Sequence, residues 1–455
     1  MIHVYSLYGY KLAIDGNSAS IHVLDQIVYD MLKDCLVMPL LEEVTDKLKE
    51  KYSLDDISEA YAEIVALRDK GMLFSSIESL ENAVGSNEMK AGLKALCLHV
   101  AHDCNLRCEY CFASKGDYNS GRNLMRREIA LKAIDYLVAN SAGRRNVEID
   151  FFGGEPLMNF DVVKEVVAYG RQLEKTINKH FYFTITTNCM LLDRDKIEFI
   201  NEHMDNVVIS IDGRREVHDA VRRDAAGGGS YDKIVPRAIE LVKKRNGKSY
   251  FVRGTFTAKN KNFTQDVVHL ADLGFKEISV EPVVGFGSDL HFQTSDVQEI
   301  LREYETLAQQ YMRWLEIGRK IRFYHYNIEI YKGPCLLKRI AACGAGTEYM
   351  AVSPEGNFYP CHQFVGHDEF IIGDIFKGTD NEEMIENFKA NNILAKEQCR
   401  DCWAKLFCAG GCHANAYFSN GNIAKPNELS CIFQKKRIEC AIMLSVWQAN
   451  REKNI

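Results

Sequence analysis

Residues 101–113, AHDCNLRCEYCFA, place Cys104, Cys108 and Cys111 at the spacing C-x3-C-x2-C. A strand-forming run, LCLHV (96–100), precedes them, and a helix-forming run, MRREIALKAIDYLVANS (125–141), follows. Three thiols are one fewer than a structural zinc or a closed iron–sulfur cube takes from protein. Either a fourth cysteine comes from elsewhere in the chain, or one metal position is left open for something that is not protein.

The rest of the composition narrows the classes. The chain has 455 residues, enough for two or three domains, with 46% apolar and 26% charged residues, as in ordinary globular proteins. A net charge of −7 argues against nonspecific nucleic-acid binding, which needs clustered basic residues to neutralise phosphates. The start, MIHVYSLYGYKLAIDG, lacks a basic segment followed by an apolar one, so it is not read as a signal peptide. No uncharged apolar run reaches membrane-spanning length. The expected location is the cytoplasm. Fifteen cysteines are unusual there, where disulfides are disfavoured and clustered thiols bind metal or do catalysis.

Hydrophobic periodicity divides the chain. Residues 1–80 read as short strands in YSLYGYKLAID (5–15), three helical patterns, and a closing strand MLFSS (72–76), which is a winged helix-turn-helix. Its third helix carries Asp55, Asp56, Glu59, Glu63 and Asp69 against Arg68 and Lys70, an acidic face that repels phosphate. Residues 81–95 read as a linker. From 96 to 325, strands alternate with helices: LCLHV, VEIDFF (147–152), YFTITTN (182–188), VVISID (207–212), SYFVRGTFTA (249–258) and EISVEPV (277–283). Six such units imply an α/β fold, a parallel sheet curled into a partial (β/α)6 barrel, with its chemistry at the strands' carboxyl ends. A cysteine- and glycine-rich region follows at 326–440, and a helix or tail at 441–455.

The cysteine triplet stands at the first of these strand ends. Gly153-Gly154-Glu155-Pro156 stands at the second, Thr186-Thr187-Asn188 at the third and Ser210-Ile211-Asp212-Gly213 at the fourth. Each is weak alone, and a zinc site or scattered core cysteines remain the plain alternative for the triplet; the order is what is specific. CNLRCEYC, FFGGEP, TTN and SIDG in this order resemble the radical S-adenosylmethionine (SAM) enzymes. The resemblance implies that Cys104, Cys108 and Cys111 hold a 4Fe–4S cluster whose fourth iron is chelated by SAM, and that an electron from the cluster cleaves SAM to a radical that takes hydrogen from substrate. It also implies Tyr110 near the adenine, and Gly153, Gly154 and Glu155 at the methionine amino group. Asn188, Ser210 and Asp212 fall at further cofactor-contact positions, and Arg222 would pair with the SAM carboxylate. Val283 would back the adenine or simply pack in the core, and Glu155 could equally cap a helix.

A second cysteine series, Cys343, Cys361, Cys399, Cys402, Cys408, Cys412 and Cys431, resembles the seven-cysteine SPASM domain. That resemblance implies two auxiliary 4Fe–4S clusters, one held by Cys399, Cys402, Cys408 and Cys431, the other by Cys343, Cys361 and Cys412, for three clusters in all. The second set is again one ligand short. Cys335 could complete it, or the open iron could take a substrate thiolate. Cys35, Cys97, Cys189 and Cys440 read as core. The amino-terminal unit resembles the precursor-recognition element of ribosomal peptide modification, which binds a leader peptide by strand addition. The three parts together resemble the maturases of six-cysteines-in-forty-five-residues precursors, which install thioether crosslinks from a cysteine sulfur to a carbon of another residue. The implied partners are a cysteine-rich precursor bound through its leader and a flavodoxin- or ferredoxin-type electron donor, with no nucleic acid and no membrane. The alternatives are a sulfatase-maturase-like oxidase and an iron–sulfur redox-sensing DNA regulator.

Overall fold

The computed structural model describes residues 1–85, 92–285, 287–328, 330 and 336–453. At the amino terminus, β1 (Ile2–Leu7), β2 (Tyr10–Asp15) and β3 (Ile21–Val23) form an antiparallel sheet in the order β1-β2-β3. The helices Gln26–Leu32, Leu41–Leu48 and Leu54–Asp69 follow, and the last buries Ile57, Ala60 and Ile64 on one stripe. The expected closing strand at 72–76 is not formed. The sheet's third strand is instead Ile21–Val23, ahead of the helices. The segment at 75 is held by a side chain rather than by a ladder: the buried Asp15 carboxylate accepts the Ser75 backbone N–H at 2.9 Å and the Ser75 hydroxyl. The expected linker is also partly helical, since a helix covers Ile77–Gly85 and the next strand begins at Ala95; residues 86–91 lie outside the described residues.

The central sheet carries β4 (Ala95–His102), β5 (Asn123–Leu124), β6 (Asn146–Gly153), β7 (His180–Thr187), β8 (Asn206–Ser210), β9 (Ser249–Phe256), β10 (Glu277–Pro282) and β11 (Arg322–Phe323). From β4 through β6, β7, β8, β9 and β10 to β11 all neighbours are parallel, and the short β5 folds back antiparallel on β4. This is the expected six-unit partial barrel. β4 is buried along its whole length, whereas β6, β7, β8 and β9 alternate. In β6 the residues Val147, Ile149 and Phe151 are fully buried beneath the helices, whereas Glu148, Asp150 and Phe152 are half-buried on the inner face. The same two-residue period in β7, β8 and β9 puts Thr184, Thr186, Ser210, Arg253 and Thr255 on that inner face. The inside of the barrel is therefore a polar crevice, not a packed core.

The cysteine-rich region extends this sheet. β12 (Tyr349–Val352) pairs parallel with β4, and β13 (Asn357–Tyr359), β14 (Gly373–Asp374) and β15 (Gly378–Thr379) continue antiparallel. It is less irregular than its sequence suggests, with helices at Glu382–Ala390 and His413–Asn420. The terminal helix spans Glu428–Lys453, so it begins well before the expected boundary at 441 and packs along the helix Val297–Glu316. Among the described residues no helix is long and apolar enough to cross a membrane.

Candidate functional site: a cavity lined by two cysteine sets

A cavity of about 280 Å³ opens at the carboxyl ends of the strands. Cys104, Cys108 and Cys111 line one end, on the loop that leaves β4. Two neighbours fix this loop. Arg107 N–H donates to Arg223 O at 2.7 Å and Glu109 N–H to Val221 O at 2.9 Å, which ties it to the segment carrying Arg222. Gly154 N–H donates to Ala101 O at 2.8 Å and Glu155 N–H to Asp103 O at 2.9 Å. That approach requires glycine: a Cβ on Gly153 would lie 2.2 Å from Ala101 O, and one on Gly154 2.1 Å from Asp103 O.

Backbone amides point at the sulfurs. Leu106 N–H reaches Cys104 Sγ at 3.4 Å, and those of Ala113, Lys115 and Gly116 face Cys111. Burial pushes the Cys104 thiol up to about 12, with further elevation from Glu155, and the Cys108 thiol up to about 11. Three half-buried thiols with raised pKa values gathered in one place become thiolates only against a strong cation. The donors do not suit a single zinc: among the described residues no three His, Cys, Asp or Glu side chains converge on one metal ion. Instead they surround a cavity, as a cluster with its own bridging sulfides requires.

The other expected contact residues gather around the same space. Tyr110, Gly153, Gly154, Glu155, Asn188, Ser210, Arg222 and Val283 all line it. Asp212 does not; it stands behind Tyr110, whose hydroxyl donates to Asp212 Oδ2 at 2.7 Å. Arg222 Nη1 donates to the Tyr110 oxygen at 2.7 Å and lies 3.7 Å from Asp212 Oδ1. Arg222 is 8% exposed, and its Nε has no hydrogen-bond partner among the described residues. That orphaned donor fits a ligand carboxylate. Glu155 is both cap and wall: its carboxylate accepts from Leu157 N–H at 3.1 Å, Thr187 Oγ1 at 2.8 Å and Asn188 N–H at 2.8 Å. Burial nonetheless raises it to about 7. Asn188 Nδ2 donates to Asn105 Oδ1 at 2.8 Å and sits 3.6 Å from Cys104 Sγ. Carboxylate, amide and guanidinium groups beside the three thiols suit an amino acid headgroup such as that of SAM.

Periodicity missed the opposite wall. Arg253, Glu281, His362 and Gln363 line it, together with Cys412 from the second cysteine series. Arg253 Nη2 donates to Glu281 Oε2 at 3.1 Å. Burial alone would raise the Glu281 carboxyl, but Arg253, His325 and Arg437 outweigh it and bring it down to about 2. The available signal was a charged residue near the carboxyl end of each of two apolar strands, VRGTF and SVEPV.

Cys399, Cys402, Cys408 and Cys431 line a separate cavity of about 300 Å³. Cys343, Cys361 and Cys412 are mutual neighbours. The sulfurs of this trio receive Asn415 N–H at 3.5 Å on Cys412 and the Gln363 and Phe364 amides on Cys361. The four thiols around the separate cavity and the trio are thus two groups in space, with Cys412 of the trio following Cys408 of the four in sequence. Cys335 lies outside the described residues. Cys97, Cys189 and Cys440 are at most 1% exposed, and Cys35 is half-buried with its thiol donating to Met31 O at 3.2 Å.

A parallel partial barrel with a thiol-lined cavity at its mouth, next to a second thiol-rich region, defines an enzyme built around metal clusters. Residues 98–273 match the family model of the radical SAM superfamily, and residues 343–403 that of SPASM, an iron–sulfur cluster-binding domain. The cysteine-type anaerobic sulfatase-maturating enzyme of Clostridium novyi (strain NT) is 27% identical over 356 residues, covering 72% of this chain and 90% of that one. The radical SAM cyclopropyl synthase TigE of Paramaledivibacter caminithermalis is 22% identical, covering 95% and 91%. Among solved structures, Streptococcus suis SuiB bound to S-adenosylmethionine superposes with a TM-score of 0.55 at 16% identity, covering 94% of this chain and 98% of SuiB. The chain is a radical SAM enzyme with a SPASM domain, close to the anaerobic sulfatase maturases and to modifiers of ribosomally made peptides. Its cofactors are accordingly SAM and 4Fe–4S clusters.

Proposed function

We propose that this enzyme installs intramolecular thioether crosslinks, from cysteine sulfur to a carbon of another residue, in a cysteine-rich precursor peptide. The observation that carries the reading is the shared cavity: Cys412 of the second cysteine set faces the same space as Cys104, Cys108 and Cys111. When bound, the first cluster and SAM supply a radical that removes hydrogen from an acceptor carbon. The chain's residues do the rest. Cys104, Cys108 and Cys111 hold the first cluster. Glu155 and Arg222 orient the amino acid end of SAM, and Tyr110, braced by Asp212, fixes Arg222. Arg253 and Glu281 form the polar wall against which a peptide would lie. The trio Cys343, Cys361 and Cys412 would hold a cluster one protein ligand short, which would supply a site for the substrate sulfur on the side of the chamber that Cys412 lines. Cys399, Cys402, Cys408 and Cys431 hold the third cluster.

Residues 1–80 serve leader recognition in this reading. The β1 side of their sheet lies against the terminal helix, where Tyr5 OH donates to Glu439 O at 3.0 Å, so β3 is the edge left for strand addition. SuiB, which resembles this chain over nearly its whole length, has been solved bound to precursor peptide SuiA. The likeness to a cysteine-type anaerobic sulfatase-maturating enzyme supports a second reading, a sulfatase-maturase-like peptide or protein oxidase.

The test is anaerobic incubation with SAM, reductant and a synthetic cysteine-rich peptide encoded beside the gene. Loss of two hydrogens per crosslink, with the cysteine blocked to alkylation, is expected. An oxidised peptide without a crosslink would favour the second reading. Cys335→Ala is expected to keep its iron and its crosslinking; loss of cluster iron would show that the trio's site is closed by protein.

A further inference from the structure

A buried cation without a carboxylate partner lies between the two carboxyl-terminal cysteine sets. Lys396 is 2% exposed, and its Nζ donates to Gly410 O at 2.9 Å. Among the described residues no Asp or Glu comes within ion-pair distance of it. Burying an ammonium group is costly unless an anion meets it. Gly410 lies two residues after Cys408 and two before Cys412, and Cys399 N–H donates to Lys396 O at 3.0 Å, so thiols of both sets, Cys399, Cys408, Cys412 and Cys431, lie within electrostatic reach of the ammonium, as does the neutral ring of His413.

The position is set by an unusual piece of backbone. Ala409, Gly410 and Gly411 all take positive φ, at 58°, 85° and 73°. This left-handed run turns the chain between Cys408, which lines the four-cysteine cavity, and Cys412, which lines the central one. Gly410 is the crossover, and Lys396 is tied to its carbonyl.

We propose that Lys396 is the shared counter-cation of the two auxiliary clusters, placed at the crossover so that one charge raises the reduction potential of both. The inference rests on the reading that these two cysteine sets hold clusters. Reduction adds negative charge to a cluster, and a fixed cation in a poorly polarisable interior favours the reduced form. Charges and hydrogen bonds around cluster sulfurs are among the levers a protein has on potential. In the proposed crosslinking one hydrogen leaves the acceptor carbon as an atom, to the radical, and one leaves the thiol as a proton, so forming the C–S bond leaves one electron over; a pair of clusters tuned together suits its uptake and onward passage.

The test uses the full chain, reconstituted anaerobically, in a parent carrying Cys104→Ala, Cys108→Ala and Cys111→Ala so that only auxiliary clusters report. Iron and sulfide content and potentiometric titration followed by electron paramagnetic resonance are the readouts. Lys396→Met and Lys396→Gln are expected to shift both midpoints to more negative values, and Lys396→Arg to leave both near the parent. Gln keeps a donor for Gly410 O but no charge, so parental midpoints in Lys396→Gln would overturn the inference. A shift of one cluster alone would overturn the sharing. If Met and Gln fail to take up iron while Arg succeeds, the charge is required for assembly, which supports the inference. If Arg fails as well, Lys396 is a packing residue and the inference falls. A parent without auxiliary iron would instead overturn the cluster reading on which it rests.

Discussion

Two residues show how closely the site is drawn. Gly154 is pinned between the Asp103 and Gly116 carbonyls, where a Cβ would come within 2.1 and 2.8 Å of the oxygens. Both contacts are backbone, so neither can swing aside. Gly154→Ala is expected to displace the cysteine loop at a cost of about 1–3 kcal/mol. The variant should lose iron from the first cluster while the auxiliary clusters stay loaded, as metal analysis against wild type will show. Arg222 holds Tyr110 through Nη1 and presents an unpartnered Nε. Lys cannot do both, because its ammonium is a point charge without the fork. Hydrogen bonds to charged groups contribute about 1.5–3 kcal/mol, so Arg222→Lys should weaken SAM binding by roughly 10–100-fold in equilibrium dialysis. Wild-type affinity would remove Arg222 from the SAM site.

At the scale of an element, the short helix Arg215–Val221 places Arg222 at its carboxyl end, and its own anchor is His218. His218 Nδ1 accepts the Asp212 N–H at 3.3 Å, and Nε2 lies 2.9 Å from Ser230 Oγ. Ser230 in turn donates to the Arg222 carbonyl at 2.7 Å. Since Nδ1 must accept, the ring is held as the neutral Nε2–H tautomer. Burial, and secondarily the Arg222 charge, bring its pKa down to about 2, far below the usual histidine value. On acidification the unfolded chain takes up this proton below about pH 6.5 and the native state does not. The stabilisation is complete above that pH and is lost going down, by about 1.4 kcal/mol per pH unit. His99, His102, His325, His362 and His413 are also depressed by burial and add slope of the same sign, so chemical denaturation of the apoprotein between pH 7.5 and 5 should show a steeper total, and His218→Gln should reduce it by about 1.4 kcal/mol per pH unit. An unchanged slope in the variant would locate the acid sensitivity elsewhere.

For the whole molecule, the amino-terminal sheet is not a detachable module. His3 stacks on Trp403 at 4.1 Å, and Lys405 donates to Asn17 Oδ1 at 2.5 Å, both within the four-cysteine segment. Tyr5, Leu7, Leu12 and Ile14 belong to the same apolar core as the barrel. Uncovering side chains of this size costs about 1.5–3 kcal/mol each, which for four approaches the total stability of an ordinary domain. Deleting residues 1–80 is therefore expected to give aggregated protein, seen in the void volume on size exclusion. A monomeric truncation with full iron would show the docking to be dispensable. Leader recognition is better probed by Val23→Asp on the exposed β3, which should weaken precursor binding and leave the melting temperature unchanged. The sequence by itself determined the six barrel strands and their order, because parallel strands under helices carry a period that local side chains announce. It also pointed to one wall of the first cavity, because GGEP, TTN and SIDG each end a strand and parallel strands end together. Only the tertiary structure decided the rest. The closing strand was lost to the Asp15 side chain, which satisfied the Ser75 N–H without a ladder. Arg253 and Glu281 came to face Cys412 because β12 joins the edge of the barrel at β4, and that pairing joins residues about 250 positions apart with no local signal. Lys396 met both cysteine sets because the left-handed residues 409–411 link Cys408 of one set to Cys412 of the other and present the Gly410 carbonyl to its ammonium.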